Sequence, residues 1–248
     1  MYLSASHVNQ YHQDGYILVP DLFNQQEVAA MLAEVEGGGR VAESTRDTSD
    51  AEGKTARLAI WFDLGDDLWT TVSTHPRIVN NVRMLMGEEI AFFHGKVMLK
   101  EPHAGGAWEW HQDYGYWYDQ GYAYPRMMSV FVALDPATTE NGCLQVLRGS
   151  HHLGRLDHTE VGSQTGAEEE RMRRIEEMLE RVHCEMTPGS ALFFHCNLLH
   201  GSAPNDSEHS RRSFIICYNA LTNPQFAEVQ TSDAVPCPVA PENALVAR

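Results

Sequence analysis

Between residues 91 and 220 the chain is written in short apolar or alternating runs separated by turn residues, at 91–100, 127–134, 143–147, 191–194 and 214–218. Runs of this length between turn signals read as strands, and several of them in succession make a sandwich or a barrel. The expected fold class is therefore mainly β with flanking helices.

The helices lie mostly before this region. Asn24 followed by Glu27 makes an N-cap with a capping-box partner, Val28, Met31, Leu32 and Val35 recur at helical spacing, and Gly37-Gly38-Gly39 stops the run. Pro76 opens a second amphipathic segment carrying Ile78, Val79, Val82 and Leu85. A short helix and a strand at 16–19 precede both, and the polar run 42–54 reads as a mobile loop. One charged stretch, 167–182, keeps Met172, Ile175, Met178, Leu179 and Val182 on one stripe and reads as a helix inserted between strands. The Pro- and Ala-rich stretch 236–248 reads as a flexible tail. At 248 residues the chain is expected to be a single domain, 1–248, with its core at 91–220.

Charge narrows the partners. Eighteen basic residues against 34 acidic ones leave a net charge of −16, the opposite of what phosphate neutralisation demands, so no nucleic acid is expected. No apolar run approaches a membrane-spanning length, and the N-terminus lacks a basic start with an apolar stretch, so a cytoplasmic protein without membrane contact is expected. The five cysteines are scattered, with no C-x-x-C pair, which argues against structural zinc and a disulfide framework.

The chemistry concentrates in "WHQDYGYW", residues 110–117. A His-x-acid pair is weak evidence by itself, since 13 histidines and 34 acids in this length give about two by chance, and four occur. His12 and Asp14 sit at a helix end, where residues two apart diverge; the pairs at His158 and His183 flank the charged insertion, where solvated polar residues are expected. His111 and Asp113 lie beyond a strand among aromatic rings, and on an extended segment residues two apart share a face. A non-haem iron(II) site needs two imidazoles and one carboxylate on one side of the metal. His200 in "FFHCNLLHGSAPN" supplies the second imidazole, with His195 as its neighbouring alternative. Arg211 or Arg212 in "HSRRSFIICYN" offers a guanidinium for a carboxylate, and Ser213 shares a strand face with Arg211.

In this order, "WHQDYGYW", "SVFVALDPATTENGCLQVLRGSH", "PGSALFFHCNLLHGSAPN" and "RRSF" resemble the phytanoyl-CoA dioxygenase family of iron(II)- and 2-oxoglutarate-dependent oxygenases, which also includes ectoine and free-proline hydroxylases. The resemblance runs from "YHQDGYILVPDLF" to about Asn219. It implies a double-stranded β-helix, a jelly roll related to cupins, with helices outside one sheet. His111, Asp113 and His200 match the family's iron ligands, and Arg211 matches the arginine that pairs with the distal carboxylate of 2-oxoglutarate, with Arg212 turned away. Lys100 and Phe131 fall in strands that line the cosubstrate pocket in relatives, and Asn141-Gly142 matches a structural turn.

The implied reaction consumes 2-oxoglutarate and O2, releases succinate and CO2, and hydroxylates an unactivated carbon; Asp113 favours hydroxylation over halogenation. Trp108, Trp110, Tyr114, Tyr116 and Trp117 are the expected walls of the substrate pocket, where aromatic faces suit a small amine or zwitterion. A small polar, amine- or amino-acid-like metabolite is thus the expected substrate, for a monomer or homodimer. An acyl-CoA thioester, a natural-product intermediate, or a cupin-like metal protein that does not use 2-oxoglutarate are the alternatives.

Overall fold

The computed structural model describes residues 3–226 and 235–245. In chain order its elements are α1 (Ala5–Asp14), β1 (Tyr16–Val19), α2 (Gln25–Gly37), α3 (Gly39–Ser44), β2 (Thr45–Ser49), β3 (Thr55–Trp61), α4 (Leu68–Ser73), α5 (Pro76–Met86), β4 (Ile90–Lys100), β5 (Trp108–His111), α6 (Asp113–Asp119), β6 (Met127–Ala133), β7 (Leu144–Leu147), β8 (His158–Val161), β9 (Gln164–Ala167), α7 (Glu169–Met178), β10 (Arg181–Cys184), β11 (Ala191–His195), β12 (His200–Ser202) and β13 (Arg211–Ala220).

Two antiparallel sheets form the jelly roll. The larger runs β1-β11-β6-β13-β4-β3-β2, the smaller β10-β7-β12-β5, and β8-β9 is a separate hairpin. Between the two sheets lies a core built from Phe93, Phe131, Phe194 and Ile215 of one and Leu144, Val146 and Cys184 of the other. The helices cover the opposite face of the larger sheet, where Val28, Met31, Val72, Ile78 and Val82 pack on Val97, Val130, Val132, Phe193, Phe214 and Ile216. The larger sheet is thus covered on both faces, which is why β6 is buried throughout and apolar at every position but Ser129. Among the described residues no helix is long and apolar enough to cross a membrane.

Helix ends follow the expected chemistry. Asn24 accepts from the Glu27 amide and Glu27 accepts from the Asn24 amide, closing the capping box of α2. In α5, Pro76 stands in the first turn, the His75 side chain accepts from the Arg77 amide, and Gly87 ends the helix in the left-handed region.

Several expectations change. The polar run 42–54 is a loop only at 50–54: its start closes α3, and β2, polar along its length, pairs with β3 through backbone hydrogen bonds that leave no trace in the apolar pattern. The insertion is shorter than expected, because α7 ends at Met178 and Val182 belongs to β10, paired with β7. Where it was expected, Met172 and Ile175 do pack under the smaller sheet, against Leu147 and Leu199. Of the expected tail, 237–245 is also held, since the Cys237 amide donates to Ile90 (2.7 Å), the Ala240 amide to Thr74 (2.9 Å), and Cys237 and Leu245 are buried; 246–248 lie outside the described residues. Backbone docking of this kind is invisible to a reading based on composition.

Candidate active site

His111 is the last residue of β5, and Asp113 opens α6 rather than continuing the strand as expected. Gln112 makes the turn between them. Its amide donates to His158 Nε2 (2.9 Å), and its buried side-chain amide donates to the carbonyls of Gly154 (2.7 Å) and Asn197 (2.8 Å). His158, read from the sequence as a solvated polar residue, therefore braces the turn, and it packs so closely on Gly115 that a Cβ there would collide with its ring.

His200 opens β12 and stands directly opposite His111 in the ladder. The ligand atoms of His111, Asp113 and His200 lie within 4.8 Å of one another, all three side chains are buried, and Asp113 Oδ1 is 3.9 Å from each Nε2. Each imidazole is oriented by its other nitrogen. His111 Nδ1 donates to Glu109 O (2.7 Å) and His200 Nδ1 to Leu198 O (2.8 Å), which leaves both Nε2 lone pairs free toward Asp113. Ser129 Oγ donates to Asp113 Oδ2 (2.5 Å) and so leaves Oδ1 facing the imidazoles.

Burial lowers the pKa of both histidines, and for His111 the neighbouring His200 adds to it, so both stand as neutral donors. Burial alone would raise Asp113, but Lys96, the two imidazoles and the Ser129 hydroxyl together hold it below the usual carboxylate range. Neutral imidazoles with an ionised carboxylate are the protonation states a divalent metal requires. His195, the alternative to His200, lies elsewhere: its Nδ1 accepts from the Asn197 amide and takes no part in the triad.

Alternation along the larger sheet decides the rest. Arg211 pairs with Lys100 across β13 and β4, Ser213 with Met98, and Ile215 with both Lys96 and Phe131, which places Arg211, Ser213, Lys96, Lys100 and Phe131 on the face that looks between the sheets. Arg212 points the other way and is held by Asp135 and Glu36.

Arg211 is buried with weak partners only. Its Nη atoms reach Ser213 Oγ and Ser202 Oγ at 3.5 Å each, its Nε has no partner among the described residues, and its Cζ stands 5.7 Å from the Phe131 ring centre. Lys100 beside it donates to Ser202 Oγ (2.8 Å) and to the Ala203 carbonyl, and burial pulls its pKa down. Two buried cations with no carboxylate paired to them among the described residues are costly, and a dicarboxylate entering from the triad side relieves that cost. The residues present thus fit both a divalent metal and an acidic cosubstrate.

A cavity of about 460 Å³ opens beside the triad, lined by Trp108, Tyr116 and Trp117 among others. Of the five aromatics expected in its wall, Trp110 and Tyr114 are absent. A register shift opposite His200 and Ser202 resets the alternation of β5, so Trp108 and His111 both face the cavity while Trp110 turns outward beneath Arg181. Tyr114 is buried, with its hydroxyl donating to Tyr122 O (3.0 Å). Ser129, Lys96 and His94 were missed by the reading of the sequence. The signal for two of them was present: His94, Lys96 and Lys100 are polar residues at even spacing in an otherwise apolar strand.

A jelly roll that gathers two imidazoles and one carboxylate, with a buried arginine that has no salt bridge among the described residues, defines a mononuclear non-haem iron dioxygenase of the kind that consumes 2-oxoglutarate. The chain belongs to the phytanoyl-CoA dioxygenase family, whose model matches residues 11–213. It is 28% identical over 233 residues to the L-proline trans-4-hydroxylase of Streptomyces griseoviridis, covering 86% of this chain and 85% of that protein. It is 26% identical over 236 residues to the ectoine dioxygenase of Bordetella bronchiseptica, covering 89% and 77%. Among solved structures, the apoform of EctD from S. alaskensis superposes with a TM-score of 0.80 at 25% identity, covering 96% of this chain and 87% of that one. The protein is a 2-oxoglutarate-dependent dioxygenase.

Proposed function

We propose that this dioxygenase hydroxylates an unactivated carbon of a small, polar, amino-acid-like metabolite, with His111, Asp113 and His200 holding iron(II) and Arg211 holding the distal carboxylate of 2-oxoglutarate. The observation that carries the reading is Arg211, a buried guanidinium whose Nε has no partner among the described residues, on the same inner sheet face as Ser129, which fixes Asp113. Ser213 and Lys100 add donors for the same carboxylate, and Phe131 closes the apolar side. Relatives named for proline and for ectoine support a small substrate, and a cavity of about 460 Å³ lies in the range of small-molecule sites.

Iron(II), 2-oxoglutarate and O2 together supply the oxidising power for hydroxylation, with succinate and CO2 as coproducts. The chain's own residues do the positioning. The carbonyls of Glu109 and Leu198 fix the two imidazoles, Ser129 fixes the carboxylate, and Trp108, Tyr116 and Trp117 wall the cavity so that the reacting carbon meets little water. Tyr116 is itself tied down by its hydroxyl donating to Thr165 O (2.6 Å).

The test is the visible charge-transfer band formed when iron(II) and then 2-oxoglutarate are added without oxygen. The band is expected in the native protein and weakened in Arg211→Ala and His200→Ala. Iron binding with no band on adding 2-oxoglutarate would leave a metal-binding jelly roll of other chemistry.

A further inference from the structure

The inner face of the larger sheet carries more positive charge than one cosubstrate uses. On β4, Lys96 and Lys100 share that face four residues apart, a separation of about 13 Å along the strand. Lys100 stands opposite Arg211, whereas Lys96 stands between Ile60 of β3 and Ile215 of β13. Its one ion-pair neighbour among the described residues is Asp113, at 3.9 Å, the carboxylate that also faces the two imidazoles. Arg46 on β2 lines the same cavity and forms no salt bridge among the described residues. The other acid in the wall, Asp47, is engaged by Arg57 at 2.8 Å. A chain with 34 acidic and 18 basic residues thus places two cations in its cavity wall against one carboxylate, Asp113, that is shared with two imidazoles and Ser129.

A third residue adds to this. His94, also in the wall and buried, has no partner for its Nδ1 among the described residues. Burial, with Lys96 nearby, brings its pKa down to about 3, so it presents a neutral imidazole to whatever fills the cavity. The hairpin of β8 and β9 closes over this end: the Ser163 amide donates to Ser49 O (3.2 Å), and the hydroxyls of Ser163 and Thr48 meet at 2.8 Å.

We propose that Lys96, with Arg46 at the rim, forms a second anion subsite that binds the carboxylate of the substrate, separate from the Arg211 and Lys100 pair. This rests on the dioxygenase reading above and specifies it: the substrate is a small carboxylate held by its acid group, with its other end presented to the metal position. The amine expected from the aromatic residues is then the neighbouring part of an amino acid and not the group that is gripped. A cation flanked by two isoleucines is poorly solvated, and a charge-assisted hydrogen bond to a carboxylate is strongest in such a place.

The test uses the whole protein loaded with iron(II). The charge-transfer band with 2-oxoglutarate is recorded first without oxygen, and its absence would sink the dioxygenase reading itself. Succinate release above the substrate-free rate is then measured with the proteinogenic α-amino acids, their primary amides and the corresponding decarboxylated amines. The expected result is stimulation by one or more acids and by none of their amides or amines. Lys96→Met and Arg46→Met should raise KM for that acid roughly tenfold or more and narrow the acid-to-amide preference. Three results would overturn the proposal: amides or amines stimulating as well as the acids, no acid stimulating at all, or Lys96→Met weakening the band's response to 2-oxoglutarate while the acid preference stays intact. The last would assign Lys96 to the cosubstrate.

Discussion

Replacing Arg211 by methionine should make the ligand-free protein more stable while removing its response to 2-oxoglutarate. Burial pulls the guanidinium from 12.5 down to about 10, and at about 1.4 kcal/mol per pKa unit the charge sits there at a cost of about 3 kcal/mol. What it gains in return is small: two hydrogen bonds at 3.5 Å and a ring contact at 5.7 Å. Methionine keeps much of the volume without the charge, so a net gain of about 1–2 kcal/mol is expected, which for a chain of this size raises Tm by roughly 2–8 °C. In the native protein with iron(II), 2-oxoglutarate at a hundred times its Kd should add about 2.7 kcal/mol, and in the variant almost nothing. Arg212→Met is the control. That side chain points outward to Asp135 and Glu36, so its loss should cost about 1 kcal/mol or less and leave the 2-oxoglutarate response intact. Anaerobic thermal unfolding with and without 2-oxoglutarate reads all of this. An Arg211→Met protein that is less stable than the native one by over about 1 kcal/mol, yet still stabilised by 2-oxoglutarate, would refute the argument that Arg211 is a cation awaiting its anion.

Ser129→Ala removes the donor that fixes Asp113 Oδ2 and should weaken iron(II) binding by about 10- to 100-fold in an anaerobic titration, with little change in fold stability. Acid should destabilise the protein through buried histidines: His94 and His195 have folded pKa values of about 3 and about 4 against 6.5 unfolded, so between those values the unfolded chain binds more protons. Their contribution is complete above pH 6.5 and is lost as pH falls toward 4 and 3, about 2 kcal/mol each between pH 7 and pH 5. Denaturant unfolding at the two pH values should show this, and His195→Gln should flatten the dependence. Gly142→Ala forces a side chain into a left-handed position (φ 71°) against the Ala203 carbonyl that also accepts from Lys100; a loss of about 2 kcal/mol or more in denaturant unfolding is expected, together with weaker 2-oxoglutarate binding.

Much of the fold was legible because apolar burial leaves a pattern. The runs at 91–100, 127–134 and 191–194 became β4, β6 and β11 within a residue or so, since strands inside a covered sheet must be apolar. β2 and the docking of 237–245 were not legible, because backbone hydrogen bonds hold them and any side chain can accompany such a bond. Within the site, His111, Asp113, His200 and Arg211 could be picked out as residue types in an order that resembles a family. Trp110 was misplaced because it was read from its nearness to the ligands in the chain: next to His111 on β5 it takes the opposite face, while the register shift brings Trp108 onto the face of His111.

The sequence by itself determined which groups were available: two imidazoles, a carboxylate and a guanidinium in chain order, in strands whose apolar pattern requires a two-sheet core. Only the tertiary structure decided which groups share a space. Lys96, Ser129 and Asp113 lie on β4, β6 and the start of α6, and their convergence depends on pairing register and on how one sheet lies over the other. Register is set by contacts between segments far apart in the chain, so no local stretch encodes it. The same holds for the cations in the cavity wall, since which partner a cation has is a property of the space around it.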